Sequence, residues 1–170
     1  MAGNSVEIQA AAMARQLVEC LAERHCMLVI AESCTAGLVS DLVARVSGAS
    51  AVLWGSFVCY TAEAKQRMLG IDGDFLRRYG LVSRETAREM AMCALNLADA
   101  SIAAAVTGIA GPLGDGSNTP IGTVWVAVAH RTEGKAAAVS EKELHFDGSR
   151  AEIRMQAAAA VLEELLKSTG

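Results

Sequence analysis

Residues 27–37 read MLVIAESCTAG, and the fold class follows from this stretch. Its first five residues (27–31) are an unbroken β-prone apolar run, the pattern of a strand buried on both faces. The polar turn Glu32-Ser33-Cys34-Thr35-Ala36-Gly37 follows at once, and beyond it Leu38, Leu42 and Val43 fall at helical spacing to about Val46. Ser33 or Thr35 is the expected helix N-cap. The unit is strand, polar turn, helix. Upstream, residues 5–24 place Val6, Met13, Leu17, Val18 and Leu21 on one helical face. Downstream, AVLWGSFVCY (51–60) reads as a second strand, residues 61–69 as a short helix, and Gly70-Ile71-Asp72-Gly73 as a turn. Ser83 caps an alanine-rich helix to about Ala98, with Glu85 and Glu89 near its positive end. SIAAAVTG (101–108) is another apolar strand. The segment 108–122 holds five glycines and both prolines and must be loop. TVWVAVAHR (123–131) and KAAAVSEKELHF (135–146) are expected as two strands joined by a Thr132-Glu133-Gly134 turn, and a last helix spans about 150–167.

Strands alternating with helices predict an α/β fold: a three-layer α/β/α domain over residues 1–170. Its sheet should have about five strands, mixed but mostly parallel, with the final hairpin supplying the antiparallel member. A length of 170 residues suits one domain, and 52% hydrophobic residues are ample for a core. Only 4% are aromatic while 32 are alanine, so that core must bring helices and strands close together. A formal charge of −4 gives no general attraction to nucleic acid or to an anionic membrane. Any anionic ligand needs a local site. Cysteines 20, 26, 34, 59 and 93 are odd in number with no CxxC, and histidines 25, 130 and 145 are scattered. That is neither a disulfide framework nor a zinc pattern, and free thiols in a reducing cytosol are expected. No apolar run reaches membrane-spanning length and the N-terminus lacks a signal-peptide pattern. The expectation is a cytoplasmic protein without nucleic-acid or membrane partner, its alanine- and methionine-rich helix faces covered in a homo-oligomer.

In open α/β sheets ligands bind beyond the carboxyl ends of the parallel strands. AESCTAG and TGIAGPLGDG both leave buried strands there, so Ser33 and Thr107 emerge on one edge if those strands are parallel. Helix N-termini at that edge offer N–H groups suited to a phosphate or an oxyanion. Neither segment is a Walker loop, and GPLGDG (111–116) is not GxGxxG. On pattern alone, Ser33 reads as a cap, Lys65 as solvated helix surface and Tyr60 as a strand-end residue with its hydroxyl at the rim. Arg150 and Arg154, four apart, read as a solvated face. The functional alternative is that a desolvated lysine beside a tyrosine and a serine runs nucleophilic catalysis without histidine, with the arginines clamping a phosphate.

The blocks AESCTAGL, SGAS, CYTAEAKQRMLGI, LVSRETAREMA, TGIAGP, TPIGTV and FDGSRAEIR occur in this order over roughly residues 10–165. In this the chain resembles the CinA C-terminal domain family, whose enzymatic members are nicotinamide-nucleotide amidases of the PncC type. The resemblance implies hydrolysis of nicotinamide mononucleotide to nicotinic acid mononucleotide and ammonia, with a nucleotide as substrate and no metal or cofactor. By position it implies Ser33 as nucleophile, Tyr60 and Lys65 as its activating group, and Thr107 and Arg150 as further active-site residues, with Arg154 the alternate to Arg150. Thr35, Gly37, Gly108 and Gly111 are the expected substrate-contacting positions, with the N–H groups after Ser33 facing the oxyanion. Three positions depart from the family pattern. Ala36 and Leu113 replace glycines and Thr119 replaces a lysine, which implies a tighter turn and a bulkier, less basic loop. Two other readings compete: a catalytically silent nucleotide-binding or regulatory domain, and a hydrolase of another small amide.

Overall fold

Side chains along a strand alternate between its faces, and strand β1 (Leu28–Glu32) shows what that alternation builds. Leu28 and Ile30 enter one apolar cluster while Val29 and Ala31 enter another, so β1 is covered on both sides. The computed structural model describes residues 2–131 and 136–169. Helix α1 (Ala2–Glu23) precedes β1, and α2 (Leu38–Ala44), a single 3₁₀ turn (Ala49–Ala51) and β2 (Leu53–Val58) follow it. Then come α3 (Ala62–Leu69), α4 (Gly73–Tyr79), α5 (Arg84–Ala98), β3 (Ile102–Gly108), β4 (Thr123–His130), β5 (Ala138–His145) and α6 (Arg150–Thr169).

The five strands lie in the order β2-β1-β3-β4-β5. β1 pairs in parallel with β2 and β3, and β4 runs antiparallel to both its neighbours, so four of the five strands point the same way. Helices α1, α2 and α6 cover one face of the sheet, and α3, α4 and α5 the other. The expected three-layer architecture with a mixed sheet is the one found. On the α5 face, Ala87, Ala91, Ala94 and Ala98 pack over Ala103 and Ala105 of β3 and Ala127 and Ala129 of β4. Close approach of helix and sheet follows from side chains this small.

Three local expectations are corrected. The turn at residues 70–73 continues into α4, because Asp72 accepts from the N–H groups of Asp74 (2.8 Å) and Phe75 (3.0 Å) and starts a new helix. The second strand begins only at Leu53, since residues 49–51 close a 3₁₀ turn first. Neither Ser33 nor Thr35 caps α2: Gly37 stands at the N-cap position with φ 94°, and no side chain bonds from that position. The expected Thr132-Glu133-Gly134 turn lies outside the described residues.

Candidate active site

The register of the parallel strands sets the site. Glu32 is level with Val106 of β3 and with Val58 of β2, so the residues that follow leave the sheet on one edge. The ladder continues one step further: Ser33 N–H donates to the Val106 carbonyl (3.0 Å) and Cys59 N–H to the Glu32 carbonyl (2.9 Å). Ser33, Thr107 and the Cys59-Tyr60 segment are thereby fixed side by side. Thr61 caps α3 by accepting from Ala64 N–H, and one turn into that helix Lys65 extends inward beneath the strand ends. Its Nζ donates to Ser33 Oγ at 2.8 Å and to the Cys59 carbonyl at 3.0 Å.

Lys65 is 1% exposed, so the reading of it as solvated helix surface is overturned. Burial lowers its pKa below the ordinary lysine value, with the neighbouring Cys59 and Cys34 sulfurs acting in the opposite sense. No salt bridge to Lys65 occurs among the described residues. A neutral amine has one lone pair; with a hydrogen given to the Cys59 carbonyl, that lone pair is free to face the Ser33 hydroxyl. Cys34, beside the serine, stays protonated, since burial pushes its thiol up to about 12.

The turn that carries Ser33 is held from below by Glu32, a residue the sequence reading passed over. Fully buried, its carboxylate accepts from the N–H groups of Gly37 (2.9 Å), Val39 (3.1 Å) and Ser40 (2.9 Å) and from Ser40 Oγ. This carboxylate, one residue before Ser33, replaces the missing cap. The signal was a lone acid closing an otherwise apolar strand. On the other side Arg154 donates to the carbonyls of Cys34 (3.1 Å) and Thr35 (2.5 Å). Ala36 takes φ 50°, a left-handed conformation that glycine adopts freely and alanine does not. Ala36 is exposed and does not line the cleft that Ser33 lines, so the departure from glycine bears on the backbone rather than on ligand space. Ala36→Gly is expected to raise stability by about 1 kcal/mol, read as a higher thermal midpoint in calorimetry.

The opposite wall is built from the end of β3 and the loop after it. Thr107 Oγ1 donates to the Leu81 carbonyl (2.7 Å), tying the loop before α5 to the strand edge. Gly108 packs so tightly that an added Cβ would stand 2.7 Å from the Thr123 carbonyl, and Gly111 sits at φ 76° against Ile121. Arg150, at the start of α6, donates through Nη1 to the Gly111 carbonyl (2.6 Å) and through Nη2 to the Tyr60 hydroxyl, bridging the mouth of the cleft. Tyr60 is 49% exposed at the rim, as its place after a strand end implies, and its hydroxyl bonds to Arg150. Lys65 is therefore the group on Ser33. The cleft brings together Ser33, Tyr60, Lys65, Thr107, Gly108, Gly111 and Arg150, and Leu113 forms part of its outer edge. Thr35, Gly37 and Arg154 do not line it: Thr35 is fully buried, the Gly37 N–H belongs to Glu32, and Arg154 is bonded behind the turn. Among the described residues, no group of three or more His, Cys, Asp or Glu comes together as a metal-holding cluster.

The family model of the CinA C-terminal domain matches residues 10–169. The chain belongs to the CinA C-terminal domain family. Among curated proteins, this CinA domain is 39% identical over 137 residues to a protein of Enterobacter agglomerans named nicotinamide-nucleotide amidohydrolase PncC, covering 81% of each chain. It is also 39% identical over 155 residues to a CinA-like protein of Thermotoga neapolitana, covering 91% of this chain but 36% of that one. The chain thus spans about a third of the length of several curated relatives it matches. Among solved structures, a competence or damage-inducible protein from Enterobacter asburiae superposes with a TM-score of 0.88 at 30% identity, over 95% of this chain and 98% of that one. The competence/damage-inducible protein CihA from Agrobacterium tumefaciens gives a TM-score of 0.85 at 36% identity, over 94% of each. Among the described residues, no helix of this CinA domain is long and apolar enough to cross a membrane.

Proposed function

We propose that the protein hydrolyses the carboxamide of nicotinamide mononucleotide to nicotinic acid mononucleotide and ammonia. The observation that carries this reading is the buried 2.8 Å contact between Lys65 Nζ and Ser33 Oγ at the carboxyl ends of the parallel strands. Such a pair is a nucleophile with its own base, and a relative covering most of the chain carries an amidohydrolase name. Ser33 Oγ attacks the carboxamide carbon as Lys65 takes the hydroxyl proton. The tetrahedral intermediate collapses as Lys65 returns that proton to the amide nitrogen, the C–N bond breaks and ammonia leaves. Water then attacks the acyl-serine ester, Lys65 again removing the proton, and the C–O bond to Ser33 breaks as Lys65 returns that proton to Ser33 Oγ, releasing the acid.

The phosphate of the substrate is assigned to Arg150 and the glycine-rich loop that begins at Gly108. A guanidinium at the cleft mouth supplies charge that the acidic protein as a whole does not. Arg150→Ala is expected to raise KM for the mononucleotide by about 10–100-fold, the range for losing a hydrogen bond to a charged group. Nicotinamide riboside, which lacks the phosphate, should be hydrolysed by this variant as by the wild type. Ammonia release from both compounds measures this. Equal losses on the two would remove Arg150 as the phosphate contact, and indifference of the wild type to the phosphate would point to another small amide as substrate. Nucleotide binding without turnover on any amide would replace the enzyme by a silent nucleotide-binding domain.

A further inference from the structure

Arg154 lies one helical turn beyond Arg150 on α6, yet the two side chains part. The Arg154 guanidinium reaches behind the nucleophile turn, where Nε and Nη2 bond two successive carbonyls, those of Cys34 and Thr35. The turn does not need these bonds to close, because Ala36 N–H already donates to the Ser33 carbonyl (3.1 Å) and Leu38 N–H to that of Thr35 (3.3 Å). Its remaining groups are nearly all engaged: Ser33 N–H bonds Val106, and Glu32 holds the N–H groups of Gly37, Val39 and Ser40. Within this turn, residues 33–40, the N–H groups of Cys34 and Thr35 are left without a protein acceptor among the described residues, and of the two residues Cys34 lines the cleft while Thr35 is fully buried.

A trans peptide directs its N–H opposite to the preceding carbonyl. With the Thr35 carbonyl drawn to Arg154, the Ala36 N–H of the same peptide faces away from Arg154 and donates to the Ser33 carbonyl. The Ser33 carbonyl, held by Ala36, fixes the Cys34 N–H in the same manner, and Cys34 lines the cleft. The N–H that follows a nucleophilic serine at a strand-to-helix turn is a common oxyanion donor. A cation on the carbonyl side also polarises each peptide and strengthens its N–H as a donor.

We propose that Arg154 is a positioning residue, holding the peptide between Thr35 and Ala36 and, through its N–H, the peptide between Ser33 and Cys34, so that the Cys34 N–H receives the oxyanion formed at Ser33, and that it does not bind the nucleotide phosphate. The proposal rests on the amidase reading. The test combines kcat and KM for ammonia release from nicotinamide mononucleotide, for wild type, Arg154→Gln and Arg154→Lys, with calorimetric affinity for the mononucleotide in a Ser33→Ala background. Arg154→Gln should lower kcat by about 10²–10³-fold, as loss of an oxyanion donor does, with KM and affinity unchanged. Arg154→Lys, able to reach one carbonyl, should recover part of the loss. Full kcat in Arg154→Gln would overturn the proposal, as would weaker binding of the mononucleotide but not of the riboside, which would make Arg154 a phosphate ligand. A wild-type measurement guards against misfolded variants. Pyridine-3-boronic acid takes Ser33 Oγ onto boron to give a tetrahedral anion, the hydroxyl proton passing to Lys65, and the amide proton of Cys34 should then move downfield in the NMR spectrum. If it stays in place on adduct formation, the proposal fails. Wild type without turnover on the mononucleotide removes the amidase reading itself and this proposal with it. Active wild type with an indifferent Arg154 removes only the positioning role.

Discussion

Ser33→Ala is expected to reduce ammonia release from nicotinamide mononucleotide by on the order of 10⁴–10⁶-fold, the scale on which serine hydrolases fail without their nucleophile. Affinity for the mononucleotide should be unchanged, because Ser33 contributes one hydroxyl to a cleft whose phosphate contacts are assigned to Arg150 and the glycine loop. Little else in the structure should move. Glu32 holds the turn through the Gly37, Val39 and Ser40 N–H groups and the Ser40 hydroxyl, Arg154 holds it through two carbonyls, and neither bonds the Ser33 hydroxyl. Steady-state assays paired with calorimetry decide the matter: turnover that survives the substitution removes Ser33 as nucleophile. The neighbouring Cys34 offers no rescue, since a thiol pushed up to about 12 stays protonated at neutral pH.

Lys65→Met should cost about 10²–10⁴-fold in kcat, the usual contribution of a positioned base. Arginine should not substitute, because a guanidinium keeps its proton and cannot accept one from serine. The wild type is expected to show kcat/KM rising with pH through the depressed amine pKa and levelling above it, since only the neutral amine can act as base. That limb should be missing from the residual activity of Lys65→Met. Stability carries the same signature. A lysine whose folded pKa lies below its unfolded one binds fewer protons when folded, so between the two values the protein gains stability as pH rises. Lys65→Met should lack this component of the alkaline rise, and thermal unfolding of both proteins across that range checks it. A pH-rate profile without an ascending limb would exclude a buried amine as the base.

The frame of the molecule was legible because it rests on short-range patterns. MLVIA and SIAAAVTG are apolar without interruption only because helices cover both sides of β1 and β3, and their register then fixes the edge where Ser33 and Thr107 emerge. Helix α4 was legible too, through Asp72 at its start and Arg77 and Arg78 at its end, but the glycines around residues 70–73 drew the reading toward a turn. Pattern alone did not reveal the burial of Lys65. Its neighbours in α3 include Glu63, Gln66 and Arg67, and only the packing of that helix against the sheet edge decides which side chain turns inward. The two arginines show the same limit. Spacing of four residues puts Arg150 and Arg154 on one helical face, whereas Arg150 bonds Gly111 and Tyr60 at the cleft mouth and Arg154 bonds two carbonyls of the Ser33 turn. Glu32 escaped notice because a cap is sought after a strand, and this one comes from the strand's last residue.

The alanine-on-alanine contact between α5 and the sheet has a further consequence. The Leu81 carbonyl, bonded to Thr107, hangs from the segment that leads into α5, so the height of that helix above β3 sets how wide the cleft opens. The methyl groups of Ala87, Ala91, Ala103 and Ala105 act as spacers of fixed thickness, and a valine among them would lift the helix and carry one wall of the site with it. Selection on such a protein is then expected to be strict at residues with no chemistry of their own. Its tolerance map should show the plainest side chains beneath α5 as closely guarded as the serine and the lysine.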